Sequence, residues 1–275
     1  MKITQNAAVL FLLAACQPQA ATKMPATVAA APVVLAAPAA APALPDSAAA
    51  VQALLRTVDL SPAWANTLGT QPPKPMDGFY GPDHYHIAFF FDSVRRDSHQ
   101  PAVFHIWGRD RYKHVTTPFT GTCTVTRLAP LPDTVSLERS QDLRPQTAFA
   151  DFVLREDPVT KGAGVYRGRA ALDFGLDAHG RLALLSFMDM DAGEGNPTQG
   201  CGLVFRGEWQ DNKSGRRKPV AWAAWYGVIV PDAFRQLGLG GRGEEVNPEL
   251  AKYGWGENWE NDEWWADSPK PSLSL

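Results

Sequence analysis

Short apolar runs that alternate with polar residues fill the chain from about residue 84 to residue 226, and a period of two is typical of half-buried β-strands. The alternation predicts eight strands: His84–Val94, Ala102–Arg109, Phe119–Arg127, Ala148–Arg155, Ala163–Phe174, Arg181–Met188, Gly202–Trp209 and Pro219–Tyr226. Turn-forming residues connect them in Arg95–Gln100, Asp177–Gly180 and Asp211–Gly215. No long helical period separates the strands. The pattern therefore predicts a mostly β fold, an antiparallel eight-stranded barrel or a sandwich, without parallel βαβ units.

One short helix is predicted before the strands. Asp46–Val58 has apolar residues at helical spacing, with Asp46 or Ser47 as the N-cap. The roughly 230 residues from this helix to the C-terminus are enough for one domain with a real core. Residues 46–275 are therefore predicted to form a single β domain that ends in an aromatic segment.

The first 45 residues have a different pattern. Ala7–Ala15 are apolar but too few to cross a hydrocarbon core, which takes about 20 residues, and they follow Lys2. Residues 1–15 therefore predict a signal peptide. Residues 16–45 are rich in Ala and Pro, which predicts a disordered tether with a reach of at most about 90 Å.

The predicted signal peptide ends in Leu13-Ala14-Ala15-Cys16, which resembles the lipobox of bacterial lipoproteins. The resemblance implies that Cys16 receives diacylglycerol, that cleavage precedes it, and that its new amine is acylated. Several acyl chains anchor a protein stably to a membrane. The residue after the cysteine is Gln17 and not Asp. By the same resemblance, this favours the outer membrane of a Gram-negative cell envelope. The alternative is an ordinary signal peptide that happens to contain a cysteine.

Charge and cysteine usage narrow the possible partners. The net charge of −3 provides no basic stripe, so we expect no nucleic acid partner. Besides Cys16 the chain contains Cys123 and Cys201, and an even pair in an oxidising compartment predicts a disulfide. Their strands, the third and seventh, face each other across an up-and-down barrel. A bond needs Cα atoms about 4.4–6.8 Å apart, so it would require a flattened barrel or a pinched rim.

The number and order of the strands resemble the calycin barrels, the group that includes the lipocalins. The Gly-x-Trp triplet typical of lipocalins occurs as Gly207-Glu208-Trp209, on the seventh predicted strand rather than the first. The resemblance covers residues 85–226 approximately. It implies a closed barrel with a small apolar ligand inside.

The first predicted hairpin has one apolar and one polar face. If Val94 pairs with Pro101, the core face carries Ile87, Phe89, Phe91, Phe104 and Ile106. The other face carries His84, His86, Asp92, His105, Trp107 and Arg109. This polar and aromatic face is the candidate ligand site, with His84, His86, His105, Trp107 and Arg109 as its residues. A metal is not expected there, because His105 lies about 13 Å along the strands from His86 in this register.

Three other segments can be interpreted either as structural elements or as binding sites. Residues 189–196 resemble a calcium loop, but their spacing departs from the EF-hand pattern and favours a polar loop. Residues 238–243 match G-x-G-x-x-G without the required strand and helix, which favours a flexible loop. The aromatic segment Tyr253–Trp265 would bind sugars or cations, or would cap the open end of the barrel, and the cap is favoured.

No nucleophile elbow, metalloprotease motif or phosphate-binding loop occurs, so nothing in the sequence requires an enzyme or a cofactor. The sequence favours a lipid-anchored envelope protein whose barrel binds a small ligand or a protein partner without catalysis. The alternative is an extracytoplasmic hydrolase or isomerase with its site around His84, His86, His105 and Arg109. An apolar cavity would favour ligand carriage. A filled interior would favour a structural or protein-binding role, and a polar cluster inside the barrel mouth would favour catalysis.

Overall fold

The computed structural model describes residues 48–67, 74–131, 143–185, 196–239, 247–256 and 264–265. The predicted signal peptide, Cys16, the tether and the helix N-cap lie outside these residues, as do residues 189–195 and 240–243 of the two loops. Within the described ranges, none of the helices is long and apolar enough to cross a membrane.

The strands form a closed antiparallel barrel. Their bounds are β1 Met76–Tyr80, β2 Tyr85–Arg96, β3 Val103–Tyr112, β4 Val115–Pro130, β5 Arg144–Glu156, β6 Gly164–Leu176, β7 Leu182–Leu184, β8 Leu203–Asp211 and β9 Arg217–Ala223. Each ring strand pairs with the next one, β6 pairs with β8, and β9 closes the ring on β1. The prediction of a mostly β, eight-stranded antiparallel barrel is confirmed, and this architecture is consistent with the calycins.

The membership of the ring differs from the prediction at two strands. The ring includes β1, which the alternation did not indicate because five residues with Asp77 and Gly78 among them give little pattern. The described part of the predicted strand Arg181–Met188 is β7, which pairs only with the end of β6 and lies outside the ring. The ring therefore still has eight strands, because β1 takes the place that the prediction gave to β7.

One end of the barrel is closed by two helices. Helix α1, Ala48–Thr57, falls inside the predicted segment, and a short α2 follows at Ser61–Trp64. The Trp64 ring lies against Phe104 and Phe205 of the interior, with ring centroids 6.3 and 6.1 Å away. The Arg96 guanidinium donates to two backbone carbonyl oxygens at the end of α1, which fixes the helix to β2.

The middle of the barrel is filled by aromatic side chains. The indole of Trp222 is stacked between Phe89 and Phe205, at centroid distances of 3.9 and 4.7 Å. Phe152 and Tyr166 meet the same indole edge-on at 5.2 and 6.1 Å. This packing leaves the central layer without the wide apolar cavity that carriage of an apolar ligand would need.

The first hairpin has the predicted faces in a different register. The predicted core residues Ile87, Phe89, Phe91, Phe104 and Ile106 all lie in the interior core. However, the strands continue to a turn at residues 97–102, so that Phe91 pairs with Gly108 and Phe89 with Asp110. At Phe89 and Phe91 the register differs by four positions from the predicted one, and an even difference keeps these side chains on the same face. Beyond a bulge between Phe91 and Ser93, Val94 pairs with Ile106, five positions from the predicted partner.

The described residues of the C-terminal segment, 253–256 and 264–265, lie on the outer wall and do not form the expected cap, whereas residues 257–263 lie outside the described residues. After the 3-10 turn Tyr226–Ile229, helix α3, Asp232–Gln236, and the 3-10 turn Pro248–Tyr253 lead to Trp255. The ring of Trp255 contacts Phe79, an outward residue of β1, at 5.0 Å. The ring of Trp265 is stacked at 4.9 Å on Phe90, an outward residue of β2.

The predicted disulfide between Cys123 and Cys201 is not formed. Both are free, buried thiols. Cys123 belongs to the interior core, whereas Cys201 belongs to the separate apolar cluster outside the wall, with Val204 and Tyr226. The barrel wall therefore separates the two sulfur atoms, and this corrects the prediction.

Candidate functional site

The end of the barrel opposite the helices is open and polar. The C-terminal ends of β3, β5 and β8 and the N-terminal ends of β4, β6 and β9 surround a cavity of about 360 Å³. We call this cavity the mouth. Asp110, Glu156 and Tyr166 line it, each at least nine-tenths buried, and we call these three residues its floor. A volume of this size is at the lower end of small-molecule sites.

Glu156 is held firmly at the floor of the mouth. It follows Leu154 by two positions on β5, so its side chain also points into the barrel. The indole of Trp209 donates to its Oε2 atom over 2.7 Å, and the backbone N–H of Gly164 donates to the same oxygen over 2.5 Å. The hydroxyl of Tyr166 donates to Oε1 over 3.2 Å. Both carboxyl oxygens therefore have protein donors.

Asp110 lies beside Glu156, and the two carboxyl groups share a side-chain hydrogen bond. Such a bond between two carboxyl groups requires one proton between them. Among the described residues, no donor reaches Oδ2 of Asp110 within ordinary hydrogen-bond distance and angle, although only 1 % of the residue is exposed. A buried polar atom without a partner is costly, and it marks a position where a ligand atom would be favoured.

Burial is the main cause of the raised pKa values at the floor and on the adjoining wall. It raises the pKa of Asp110 well above its ordinary value, and the negative charge of Glu156 raises it further. Burial also raises the pKa of Glu156, against the lowering effect of the hydrogen bond from Trp209. The pKa of Tyr80, on the adjoining wall, is raised by burial and then by Glu156. The floor therefore keeps a proton in conditions where exposed carboxyl groups have lost theirs.

Aromatic rings line the wall between the floor and the rim. The ring centroids of Tyr80 and Tyr112 are 4.6 Å apart, and those of Tyr80 and Trp209 are 5.6 Å apart. The ammonium of Lys218 lies over these rings, 4.6 Å from the centroid of Tyr80 and 6.0 Å from that of Trp209. These contacts are cation–π interactions, and they direct the lysine across the cavity wall.

The rim of the mouth is positively charged. Four basic residues and one carboxylate, Asp211, line the cavity here, and we call the basic residues the rim cations: Lys113, Lys161, Arg216 and Lys218. The pKa of Lys218 is lowered by burial and then by the charges of Arg216 and Lys113, against the opposing charges of Asp83 and Asp211. An acidic floor that holds a proton therefore lies below a rim that attracts anions.

The residues predicted as a ligand site lie at separate places on the outer wall. His105 Nε2 is 2.8 Å from Asp97 Oδ2, and this contact together with the backbone N–H groups of Gln100 and His99 lowers the pKa of Asp97 to about 2. The ring centroids of His105 and Trp107 are 6.1 Å apart. Arg109 is buried and paired with Asp92, and it also donates to the carbonyl oxygen of Trp265.

The two other predicted residues lie below the C-terminal segment. His86 Nε2 is 3.0 Å from Asp77 Oδ1, and its ring is 4.5 Å from that of Trp255. His84 has a backbone φ of 53° and meets the edge of the Phe79 ring. In the part of the chain that the structure describes, no three His, Cys, Asp or Glu side chains are close enough to hold a metal ion. The five predicted residues do not converge on one cavity.

A second buried carboxyl group lies on the outside of β6. Asp173 accepts hydrogen bonds from the hydroxyl groups of Thr147, over 2.6 Å, and Thr198, over 2.5 Å. Asn196, the described residue of the segment that resembles a calcium loop, donates to Thr147. Burial raises the pKa of Asp173 to about 6, although the threonine hydroxyls oppose the increase.

The sequence analysis missed Asp110 and Glu156 because each lies one residue beyond the end of its predicted strand. The alternation itself contained the signal, since Ile106, Gly108 and Asp110 share one face of β3. Trp209, the donor to Glu156, entered the sequence prediction only as part of the Gly-x-Trp triplet.

No family model, no curated protein and no solved structure matches this chain significantly. The function must therefore be inferred from the mouth itself.

Proposed function

We propose that this protein is a lipid-anchored binding protein of the bacterial cell envelope, and that the mouth of its barrel takes a small polar ligand without converting it. The observation that supports this proposal most strongly is the buried, unpartnered Oδ2 atom of Asp110 at the floor of an open cavity. A ligand hydroxyl or amide at this position would provide the missing hydrogen bond.

The filled interior favours a ligand at the mouth over an apolar ligand inside the barrel. Trp222 and its stacked neighbours Phe89 and Phe205 occupy the volume that an apolar ligand would need. The mouth offers instead a carboxyl pair, tyrosine rings and ammonium groups. We therefore infer a polar ligand that is bound near the surface and exchanges without opening the barrel.

The anchor is the second element of the proposal, and the lipobox around Cys16 supports it. A triacylated cysteine would hold the domain at the outer membrane through the Pro-rich tether. In cell fractionation, the wild-type protein is expected in the membrane fraction with a lipid label, and Cys16→Ala in the soluble envelope fraction. A soluble and unlabelled wild-type protein would contradict the anchor and leave the mouth untouched.

The mouth is tested by filling it. Val115 lines the cavity and is 53 % exposed, so Val115→Trp would fill the mouth without disturbing the core. Val159→Trp, at a residue that is 86 % exposed and not part of the mouth, is the matched control. Ligand-detected NMR with a library of small polar fragments should find binders of the wild-type protein and of the control that do not bind Val115→Trp. Equal binding by all three proteins, or no binder at all, would overturn the proposal.

Catalysis at the mouth is the second candidate, because Asp110 and Glu156 form a polar cluster with a retained proton. A carboxyl group with a raised pKa is suited to general acid catalysis. Prolonged incubation of each bound fragment with the wild-type protein, followed by NMR, distinguishes the two candidates. Unchanged fragments support binding, whereas products that disappear with Asp110→Asn would support an enzyme.

A further inference from the structure

Two of the four rim cations, Lys113 and Lys218, lie against aromatic rings. Lys113 lies 4.8 Å from the ring centroid of Tyr85 and 5.3 Å from that of Tyr112, and Lys218 is 6.0 Å from the latter. In the described ranges, none of the four rim cations takes part in an ion pair. With four basic residues against the single carboxylate Asp211, the rim has a net positive charge that a ligand can meet.

This arrangement costs free energy in the unliganded protein, because like charges at close range repel each other. Lys218 is half-buried, and the positive charges of Arg216 and Lys113 act against its own, while Asp83 and Asp211 offset part of this repulsion. An anion placed between the three cations would relieve the repulsion and would gain from the limited access of water. A cationic ligand would be repelled at the rim before it reached the floor.

The floor selects a different chemical group. Asp110 and Glu156 share a proton, so a ligand atom at Asp110 Oδ2 has to be able to donate or accept according to where that proton lies. A hydroxyl group meets this requirement, because it can do both. The rings of Tyr80 and Trp209 between floor and rim provide flat apolar surfaces, on which the C–H faces of a sugar ring would fit.

We infer that the mouth binds a small polyhydroxylated anion, a sugar acid or a sugar phosphate, with its anionic group between Lys218, Arg216 and Lys113 and one hydroxyl on Asp110. This inference rests on the proposed function and specifies its ligand. The cavity of about 360 Å³ has room for one sugar ring with its acidic group. Carboxylate and phosphate satisfy the same rim chemistry, so both are included in the test.

Isothermal titration of the full-length protein with D-glucuronate, glucose 6-phosphate and D-glucose at low ionic strength tests the inference. Both acids are expected to bind at least about tenfold more tightly than glucose, and to weaken as salt screens the rim. Lys218→Gln should weaken both acids about tenfold and leave glucose unchanged. Lys213→Gln, an exposed lysine outside the mouth, is the matched control. The comparison of the two acids shows which anionic group the rim prefers.

The outcomes separate this inference from the proposed function. Equal affinities for glucose and the acids would overturn the ligand class, and so would an unchanged affinity of Lys218→Gln for the acids. Neither result would affect the proposed function, because polar fragments could still bind at the mouth. No heat from any of the three sugars up to about 10 mM, where a Kd of about 1 mM would be evident, would also overturn it. Failure of the proposed function would appear separately, as fragment binding that Val115→Trp does not abolish.

Discussion

Trp209 and Glu156 are joined at the barrel mouth by a 2.7 Å hydrogen bond from the indole nitrogen to Oε2, although 53 positions separate them in the chain. Strand β6 lies between their two strands, so the bond spans a whole strand of the wall. It links the shape of the mouth to the ionisation of its floor, because a donor to a carboxylate favours the charged form.

Removal of this donor should destabilise the protein and raise the pKa of Glu156 further. Trp209→Phe keeps an aromatic ring but loses the N–H group, and we expect a loss of about 1–2 kcal/mol beyond the change in packing. Trp64→Phe is the control, because the indole nitrogen of Trp64 is buried without a hydrogen-bond partner among the described residues. Urea denaturation measures both variants, and equal losses would show that the bond to Glu156 contributes nothing.

The stacked indole of Trp222 should contribute strongly to stability. Trp222→Ala would empty the space between Phe89 and Phe205, and replacement of a buried Trp by Ala costs about 3–5 kcal/mol. The variant should also bind small apolar molecules such as benzene, because an engineered apolar cavity stays dry. Val159→Ala, at an exposed valine, should change the free energy of unfolding by less than about 0.5 kcal/mol. A stable variant that binds no benzene would mean that the barrel collapses around the missing ring.

The ion pair between Arg109 and Asp92 is buried, with side chains only 2 % and 6 % exposed. Removal of one partner leaves a buried charge, so Asp92→Ala should cost about 3–5 kcal/mol. The double variant with Arg109→Met should cost clearly less than the sum of the single changes. The control is Glu208→Ala in the exposed pair with Arg217, where we expect less than about 1 kcal/mol. Additive losses in denaturant titrations would contradict a coupled pair.

The sequence predicted most of the barrel because the information that determines it is local. Alternation within each strand showed that the side chains of Phe89 and Phe104 face the core, and this holds for either register of the hairpin. The register itself depends on where the turn at residues 97–102 closes, and the turn residues alone did not determine that. Strand β1 was missed because it is short and is defined by its neighbours β2 and β9.

The mouth was not predictable from the same local pattern. Asp110, Glu156 and Trp209 belong to β3, β5 and β8, and only the closure of the ring brings them to one end. The alternation placed His84 and His86 on one strand face, but His84 lies in the turn before β2 and the ring of Trp255 covers His86. Where that segment would pack depended on tertiary contacts with Phe79 and Phe90.

Asp173 makes the stability of the protein depend on pH in a direction opposite to that of most carboxylates. Its pKa is raised to about 6 in the folded protein, from an ordinary value of 3.8, so the folded state retains a proton that the unfolded chain releases. The contribution of the protonated group is complete below about pH 4 and is lost as the pH rises through 6. The difference in pKa corresponds to about 3 kcal/mol.

Asp173→Asn should therefore gain stability relative to the wild type between pH 4 and pH 7, by up to this amount. Urea denaturation at several pH values measures the gain, and Asp151→Asn, at an exposed carboxylate on β5, is the control. A difference between Asp173→Asn and wild type that stays constant from pH 4 to pH 7 would show that Asp173 does not titrate in this range.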